Sequence, residues 1–290
     1  MISISKRSHC KCRKLIYNQF TFKSFSTTPV TNNNNSDEEI VVDTKPNGVY
    51  TLSFNNEKKL NPMTVAMGEA FEEKMMELST DKNMRCLVLT GKGKAFSAGG
   101  DLDFLRARTQ DTPYNNSKIM RAFYRRFLSL RNLPVPVISA LNGPAIGAGF
   151  CVALATDIRV AHPKAKMGLN FVKIGLHPGM AATHFLPQIV GTQVASQMLL
   201  TGGIITGEEA SQLGLCLLND EPLEHALNLA DRIASNSPDS VQDLTRSMRM
   251  KIDIGLDQAL WREADCQAHS YATTMGEGLD SILEKREPNW

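Results

Sequence analysis

The sequence predicts an α/β fold that ends in a helical region. Short apolar runs alternate with segments of helical periodicity up to about residue 180, and from about residue 183 the pattern is mostly helical. With 42% apolar and 21% charged residues, the composition is ordinary for a globular protein. We expect one domain at residues 37–290, divided into an α/β core at 37–200 and a helical C-terminal region at 201–290.

The first 36 residues differ from this domain in composition. They contain six of the 32 lysines and arginines of the chain and no acidic residue. A basic, acid-free N-terminus with serine and threonine is typical of a mitochondrial transit peptide. We therefore predict a matrix protein whose transit peptide and disordered spacer end at residue 36. The alternative is a disordered basic tail without a targeting role.

Strands and helices alternate in the predicted core. Residues 49–54 alternate between apolar and polar side chains, as a half-buried strand does. Strands buried on both faces are predicted from short apolar runs at residues 86–89, 136–140 and 157–161. Helices are predicted from apolar spacing at residues 63–78, 118–130 and 146–155.

Composition argues against several classes of function. No apolar run reaches the roughly 20 residues that a membrane-spanning helix needs. Beyond residue 36 the chain is mildly acidic and has no basic stripe for nucleic acid. Apart from Cys10 and Cys12, the six cysteines are scattered, without the spacing of a disulfide scaffold or metal cluster. We expect no membrane span, no nucleic-acid partner and no metal.

Two glycine-rich segments each follow a predicted strand. Residues 93–102 follow the strand at 86–89, and residues 142–149 follow the strand at 136–140 and open a buried helix. Small residues let a backbone approach a ligand closely, and unpaired N–H groups at a loop or helix start can bind an anion. Tight turns and helix packing would explain the same residues, so each segment alone leaves both interpretations open.

In combination, these segments carry a resemblance to a known family. Phe-Ser-Ala-Gly-Gly-Asp-Leu at residues 96–102 and Asn-Gly-Pro-Ala-Ile-Gly-Ala-Gly at 142–149 resemble the two oxyanion-hole segments of the crotonase, or enoyl-CoA hydratase/isomerase, superfamily. Residues 59–61, 200–203 and 277–288 also match in order and spacing. The resemblance covers about residues 40–290. It implies a crotonase (ClpP-like) superhelix of ββα units, with a helical C-terminal region that assembles trimers or hexamers.

The resemblance also implies a site. Backbone N–H groups of Ala98 and Ala148 are expected to hold the thioester oxygen of an acyl-CoA, where each donor is typically worth about 10²- to 10³-fold in rate. Since CoA belongs to the substrate, we expect no separate cofactor. Residues expected to bind the substrate and its CoA are Lys58, Leu60, Ala98, Gly99, Gly100, Asp101, Gly147 and Ala148.

The usual acid–base residues are missing. Hydratases of this family use two glutamates, and the matching positions hold Cys151 and Phe171. Gly179 occupies a third position, where some members have an aspartate. A positioned acid or base contributes roughly 10²- to 10⁴-fold, so the loss of both glutamates predicts impaired ordinary hydration.

Other residues are candidates for the missing role. His177 follows the second lost glutamate, and its imidazole suits proton transfer near neutral pH, although a structural role in the loop explains it too. Asn170 is a candidate for orienting a water or carbonyl. Asp103 faces either the pocket or the solvent. We interpret Cys151 as a small buried side chain rather than a nucleophile.

Three functions remain open. The first is an enoyl-CoA hydratase or isomerase of mitochondrial fatty-acid or branched-chain acyl-CoA metabolism. The second is an acyl-CoA hydrolase or decarboxylase, because decarboxylation to an enolate needs no strong base. The third is a catalytically inactive acyl-CoA-binding protein.

Overall fold

A computed structural model describes residues 38–290; the predicted transit peptide at residues 1–36 lies outside the described residues. The strands are β1 (Ile40–Thr44), β2 (Val49–Phe54), β3 (Pro62–Met63), β4 (Cys86–Gly91), β5 (Gly99–Gly100), β6 (Val137–Leu141), β7 (Ala145–Ile146), β8 (Ile158–Ala161), β9 (Lys166–Gly168), β10 (Ile204–Thr206) and β11 (Leu217–Leu218). The helices are α1 (Val65–Ser79), α2 (Leu102–Arg108), α3 (Pro113–Leu128), α4 (Ala148–Leu154), α5 (Ala182–Thr201), α6 (Gly207–Gln212), α7 (Pro222–Ala234), α8 (Pro238–Ile252), α9 (Leu256–Thr273) and α10 (Met275–Glu284).

The central element is a six-stranded sheet in the order β1-β2-β4-β6-β8-β11. Its pairs are parallel except for β1 with β2. Every residue of β4 and β6 is buried, which confirms the prediction made from their continuous apolar runs. A second sheet has the order β10-β9-β7, and β3 pairs with β5.

Alternate side chains of β4 enter two different cores. Cys86 and Val88 pack in a small cluster with Ala230 of α7, whereas Leu87 and Leu89 point into the main core on the opposite face. This division follows from the two-residue period of a strand. It explains why β4 contains almost no polar side chains.

Aromatic rings of the main core fix the chain that leaves β4. Phe96 packs edge-on against Phe54 with ring centroids 5.6 Å apart, and Phe54 contacts Phe71 of α1 at 5.8 Å. All three rings are fully buried. The segment after β4 is therefore held by its own core side chain.

Most predicted elements are present, but their boundaries differ. Helix α3 begins at Pro113 rather than near residue 118, because Thr112 caps it by accepting a hydrogen bond from the Asn115 N–H at 3.2 Å. The predicted helical C-terminal region also contains strands β10 and β11. Helix α9 of this region packs along α3 of the core. Among the described residues, no helix is both long and apolar enough to span a membrane.

Candidate active site

The two glycine-rich segments meet at one edge of the central sheet. Strands β4 and β6 are parallel neighbours, so their carboxyl ends lie side by side. The Ser97 N–H donates to the Pro144 carbonyl oxygen, and the Ile146 N–H donates to the Ser97 carbonyl oxygen, both at 3.0 Å. Crevices outside the carboxyl ends of parallel strands are common ligand sites.

Asn142 and Gly143 hold the two segments at a fixed separation. The Asn142 amide donates to the carbonyl oxygens of Gly91 at 2.9 Å and Gly93 at 2.8 Å. A Cβ on Gly143 would collide with the carbonyl group of Lys94. The approach of the two backbones therefore requires a glycine at residue 143 and is stabilised by the side chain before it.

The structure changes the expected donor in the first segment. The Ala98 N–H already donates to the Leu60 carbonyl oxygen at 2.8 Å, so it is not available to a substrate oxygen. The Asp101 N–H points toward Met63 at 3.4 Å. Because successive residues of a strand alternate in direction, the N–H of Gly100 points to the other side. Gly100 also lines the cavity described below, and it replaces Ala98 as the candidate donor.

The expected donor in the second segment remains available. Ala148 is the first residue of α4, where a backbone N–H has no acceptor within the helix. Gly147 precedes it with φ of 51°, a conformation that favours glycine. A Cβ on Gly99 would lie 3.9 Å from the Ala148 nitrogen. This distance brings the two candidate donors of the hole into the same small region.

A cavity of about 120 Å³ adjoins these donors. Its volume is close to the roughly 150 Å³ of a cavity that accommodates benzene, so it suits a short acyl group. Tyr124 is the only titratable side chain among the described residues that line it. The lining residues are Ala98, Gly99, Gly100, Leu102, Phe104, Leu105, Met120, Phe123, Tyr124, Ile146, Gly147, Ala148, Asn170, Phe171, Ile174, Leu176, Gly179, Met180, Gln267 and Ile282.

Comparison with known proteins agrees with this geometry. Residues 44–290 match the model of the family described as enoyl-CoA hydratase/isomerase. The chain is 30% identical over 246 residues to 2,3-dehydroadipyl-CoA hydratase of Escherichia coli, which covers 83% of this chain and 94% of the relative. It is 31% identical over 257 residues to 1,2-epoxyphenylacetyl-CoA isomerase of the same organism, covering 87% and 98%. The crystal structure of an enoyl-CoA hydratase/isomerase from Pseudoalteromonas atlantica is similar with a TM-score of 0.77 and 28% identity, over 87% of this chain and all of that one.

This chain belongs to the enoyl-CoA hydratase/isomerase family. It is an enzyme of that family and acts on acyl-CoA. The crotonase fold expected from the sequence is therefore confirmed, with the helical C-terminal region folded against its core.

The two positions where hydratases of the family were expected to have glutamates differ in environment. Cys151 is fully buried, does not line the cavity, and donates through Sγ to the Gly179 carbonyl oxygen at 3.3 Å. Burial raises the pKa of the Cys151 thiol well above its usual value, so a thiolate nucleophile is disfavoured. Phe171 lines the cavity and makes that wall apolar.

His177 does not reach the cavity, contrary to the hypothesis that it supplies the missing acid or base. It is absent from the described lining residues, and its Nδ1 lies 2.6 Å from the Pro178 carbonyl oxygen, which requires a proton on that nitrogen. Its backbone N–H donates to Ser270 Oγ at 3.1 Å, and its carbonyl oxygen accepts from Gln267 Nε2 at 2.8 Å. Burial lowers its pKa. These contacts assign His177 to the packing of α9 against the loop.

The two aspartates of the first segment lie outside the cavity lining. Asp101 caps α2 by accepting a hydrogen bond from the Phe104 N–H at 2.8 Å, which agrees with the expectation that it fixes the loop. Asp103 is exposed to solvent on α2. Neither carboxylate faces the reacting group implied by the donors.

The residues expected to bind CoA lie at the same edge of the sheet as the donors. Lys58 is exposed on a 3₁₀ turn, and Leu60, which ends that turn with φ of 61°, is 42% exposed. The contact of Leu60 with Ala98 joins this turn to the first glycine-rich segment. A charged and an apolar side chain therefore flank the segment on its solvent side.

Polar side chains in the cavity wall were only partly found by sequence reasoning. Asn170 was a candidate, and its Oδ1 would lie 3.6 Å from a Cβ on Gly147, beside the second segment. Tyr124 of α3 and Gln267 of α9 were not identified. Both lie in ordinary amphipathic helices, and no motif in the sequence marks either residue.

A buried carboxylate supports the cavity from behind. Glu263 is 1% exposed and accepts hydrogen bonds from the N–H groups of Ala181 at 2.7 Å and Thr183 at 2.9 Å, at the start of α5. Desolvation raises the pKa of Glu263 to about 7, although these hydrogen bonds oppose the shift. Since Met180 lines the cavity, Glu263 helps to position that part of the wall.

Proposed function

We propose that this enzyme converts a short-chain acyl-CoA through an enolate that the N–H groups of Gly100 and Ala148 stabilise. The observation that carries the proposal is the convergence of two backbone segments, each leaving a parallel strand, on a small apolar cavity. The donors stabilise negative charge that develops on the thioester oxygen, and they need no reorganisation because neighbouring strands hold them.

The reaction class we favour is enoyl-CoA hydration or isomerisation. Two relatives, a hydratase and an isomerase by name, support this class. Both reactions pass through the same type of enolate, so the proposed donors serve either one. CoA is expected to extend from the cavity past Leu60 and Lys58.

A decarboxylase or thioester hydrolase is the second candidate. The observation in its favour is that no Asp, Glu or His occurs among the described residues that line the cavity. Departure of CO₂ supplies the electron pair of the enolate without a base, whereas proton abstraction from an acyl-CoA needs one.

Substitution of Ala148 tests the oxyanion hole. Proline fits the first position of a helix and lacks an N–H, so Ala148→Pro removes the donor with little change in backbone conformation. We expect kcat/KM to fall about 10²- to 10³-fold. Ala148→Gly, which retains the N–H, is the matched control and should change kcat/KM by only a few-fold. Equal activities of two folded variants would rule out this donor.

A substrate panel separates the reaction classes. Hydration and isomerisation are followed with short 2-enoyl- and 3-enoyl-CoAs, decarboxylation with malonyl-type CoA esters, and hydrolysis by release of free CoA. Turnover of enoyl-CoAs supports the first class, and release of CO₂ or CoA alone supports the second.

The cellular setting is part of the proposal. We propose that residues 1–36 direct the enzyme to the mitochondrial matrix, where it would act in fatty-acid or branched-chain acyl-CoA metabolism, because the segment is basic and free of acidic residues. Import of a fluorescent protein fused to residues 1–36 tests the targeting, and cytosolic fluorescence would contradict it. We also propose that the enzyme needs no metal or further cofactor, so its activity should survive a chelator.

A further inference from the structure

Two buried polar atoms in the cavity wall lack hydrogen-bond partners. Within the described residues, the Tyr124 hydroxyl oxygen and Gln267 Oε1 have no partner and almost no contact with solvent. Both residues line the cavity, where the other walls are mainly apolar. Native proteins pair nearly all buried polar groups, so two unpaired ones in one cavity point to a ligand that pairs with them.

The two head groups converge on one place. A Cβ on Gly179 would collide with the Tyr124 hydroxyl and would lie 2.8 Å from Gln267 Nε2. Both polar ends therefore pack against the same glycine, although they come from α3 and α9. This place adjoins the lost first glutamate, since Cys151 Sγ contacts the Gly179 carbonyl oxygen.

The hydrogen-bonding capacity of the pair is defined by its surroundings. Gln267 Nε2 donates to the His177 carbonyl oxygen at 2.8 Å, which fixes the orientation of the amide and leaves Oε1 as a free acceptor. Burial raises the pKa of Tyr124 well above its usual value, so its hydroxyl keeps its proton and remains a donor. The pair thus offers one donor and one acceptor.

We propose that Tyr124 and Gln267 form a polar subsite that binds a hydroxyl group carried by the acyl chain of the substrate or product. A hydroxyl accepts a hydrogen bond from Tyr124 and donates one to Gln267 Oε1, so both buried atoms are satisfied. A keto oxygen would satisfy Tyr124 only, and a saturated chain would satisfy neither. This inference rests on the proposed acyl-CoA function and adds the chemical class of the acyl group.

Calorimetry with purified enzyme tests the subsite. Hexanoyl-CoA is compared with its 3-, 4-, 5- and 6-hydroxy derivatives, so that chain length stays constant while the hydroxyl moves along it. We expect at least one hydroxylated ligand to bind about 10-fold more tightly than hexanoyl-CoA, which corresponds to about 1.4 kcal/mol. A water molecule is the other source of the same O–H chemistry. Water alone in the subsite would give no preference for any hydroxylated ligand.

Two variants and one control identify the residues responsible. Tyr124→Phe removes one oxygen, and Gln267→Met removes the free acceptor; each should reduce the preference to below about 3-fold while hexanoyl-CoA affinity stays within about 2-fold. Tyr271→Phe is the matched control. Tyr271 is also a buried tyrosine, but its hydroxyl contacts Met120 Sδ at 3.5 Å and it does not line the cavity. This control should retain the full preference.

The outcomes separate the two proposals. Tight binding of all five ligands without preference, or a preference that survives Tyr124→Phe, overturns the polar subsite and leaves the proposed function intact. Failure of every acyl-CoA to bind overturns the proposed function and the subsite with it. Loss of the preference in both variants, with the control unchanged, supports the subsite.

Discussion

At the scale of single residues, Gly179 has a steric role in the cavity wall. An added Cβ would meet the Tyr124 hydroxyl and Gln267 Nε2, so a side chain and the tyrosine oxygen cannot both occupy this space. An aspartate at residue 179, which some relatives were expected to have, is therefore incompatible with Tyr124 in its present position. The polar group of this wall comes from a neighbouring helix instead.

Substitution at Gly179 measures this competition. We expect Gly179→Ala to destabilise the protein by about 1–3 kcal/mol through overpacking, and Tyr124→Phe to recover part of that loss in the double variant. Chemical denaturation of the four proteins in the cycle gives the coupling free energy, expected to exceed about 0.5 kcal/mol. Gly276→Ala is the control, because nothing lies within 4 Å of its added Cβ. Additive effects of the two substitutions would contradict the steric conflict.

The donors of the oxyanion hole illustrate what residue patterns can and cannot predict. The two segments and the donor at Ala148 follow from glycine-rich motifs after strands. The choice between Ala98 and Gly100 does not, because it depends on Gly99, whose φ of 103° reverses the direction of the peptide groups. Sequence specifies that a turn is possible there, but only the pairing with Leu60 and Met63 shows which N–H faces the cavity.

At the scale of elements, the start of α5 depends on the buried carboxyl of Glu263. Its pKa is about 7 in the folded protein and 4.5 as the model value, so the folded state binds the proton more tightly. The associated stability is fully present below about pH 4.5 and is lost as pH rises through 7. Ionised Glu263 thus costs stability at alkaline pH.

The pH dependence of unfolding tests this assignment. Between pH 5 and pH 8, the free energy of unfolding of the wild type should fall relative to Glu263→Gln by about 2–3 kcal/mol. Glu209→Gln is a suitable control, since Glu209 also caps a helix, α6, but is exposed and its pKa is lowered. Its contribution is lost only as pH falls through the acidic range, so no comparable change is expected between pH 5 and pH 8. Identical pH profiles for the wild type and Glu263→Gln would refute the raised pKa.

Element prediction succeeded where packing and periodicity agree. Strands β4 and β6 are buried on both faces, and their apolar runs show it directly. The first turn of α3 was missed because residues 113–117 are mostly polar, and the capping contact of Thr112 rather than apolar spacing defines the start. Strands β10 and β11 are three and two residues long, too short for a periodic signal.

At the scale of the whole molecule, α3 and α9 close the cavity although they are far apart in sequence. The pairing of Tyr124 with Gln267 exists only after this long-range contact forms, so no local pattern encodes it. The same helical region also exposes large apolar side chains. Leu244 and Met248 of α8, one turn apart, are 62% and 64% exposed, and we propose that they pack between subunits of a homotrimer or homohexamer.

Sedimentation of the protein that comprises residues 37–290 tests this assembly. We expect a mass of three or six chains, and a shift to single chains when Leu244→Glu and Met248→Glu are combined, because buried interface charges are strongly unfavourable. Met76→Glu is the control, as Met76 is 68% exposed on α1 of the core. A wild-type protein that sediments as a monomer would contradict the proposed assembly.

The enclosed position of Cys151 has an evolutionary consequence. A single reversion to glutamate there would place a carboxylate against the Gly179 backbone, in a space already bounded by Tyr124 and Gln267. Such a mutant would bear the cost of an unpaired buried charge before it could regain an ancestral proton transfer. The ancestral state is therefore not one mutation away, and further divergence of this lineage is expected to proceed through the side chains of α3 and α9 that now face the acyl group.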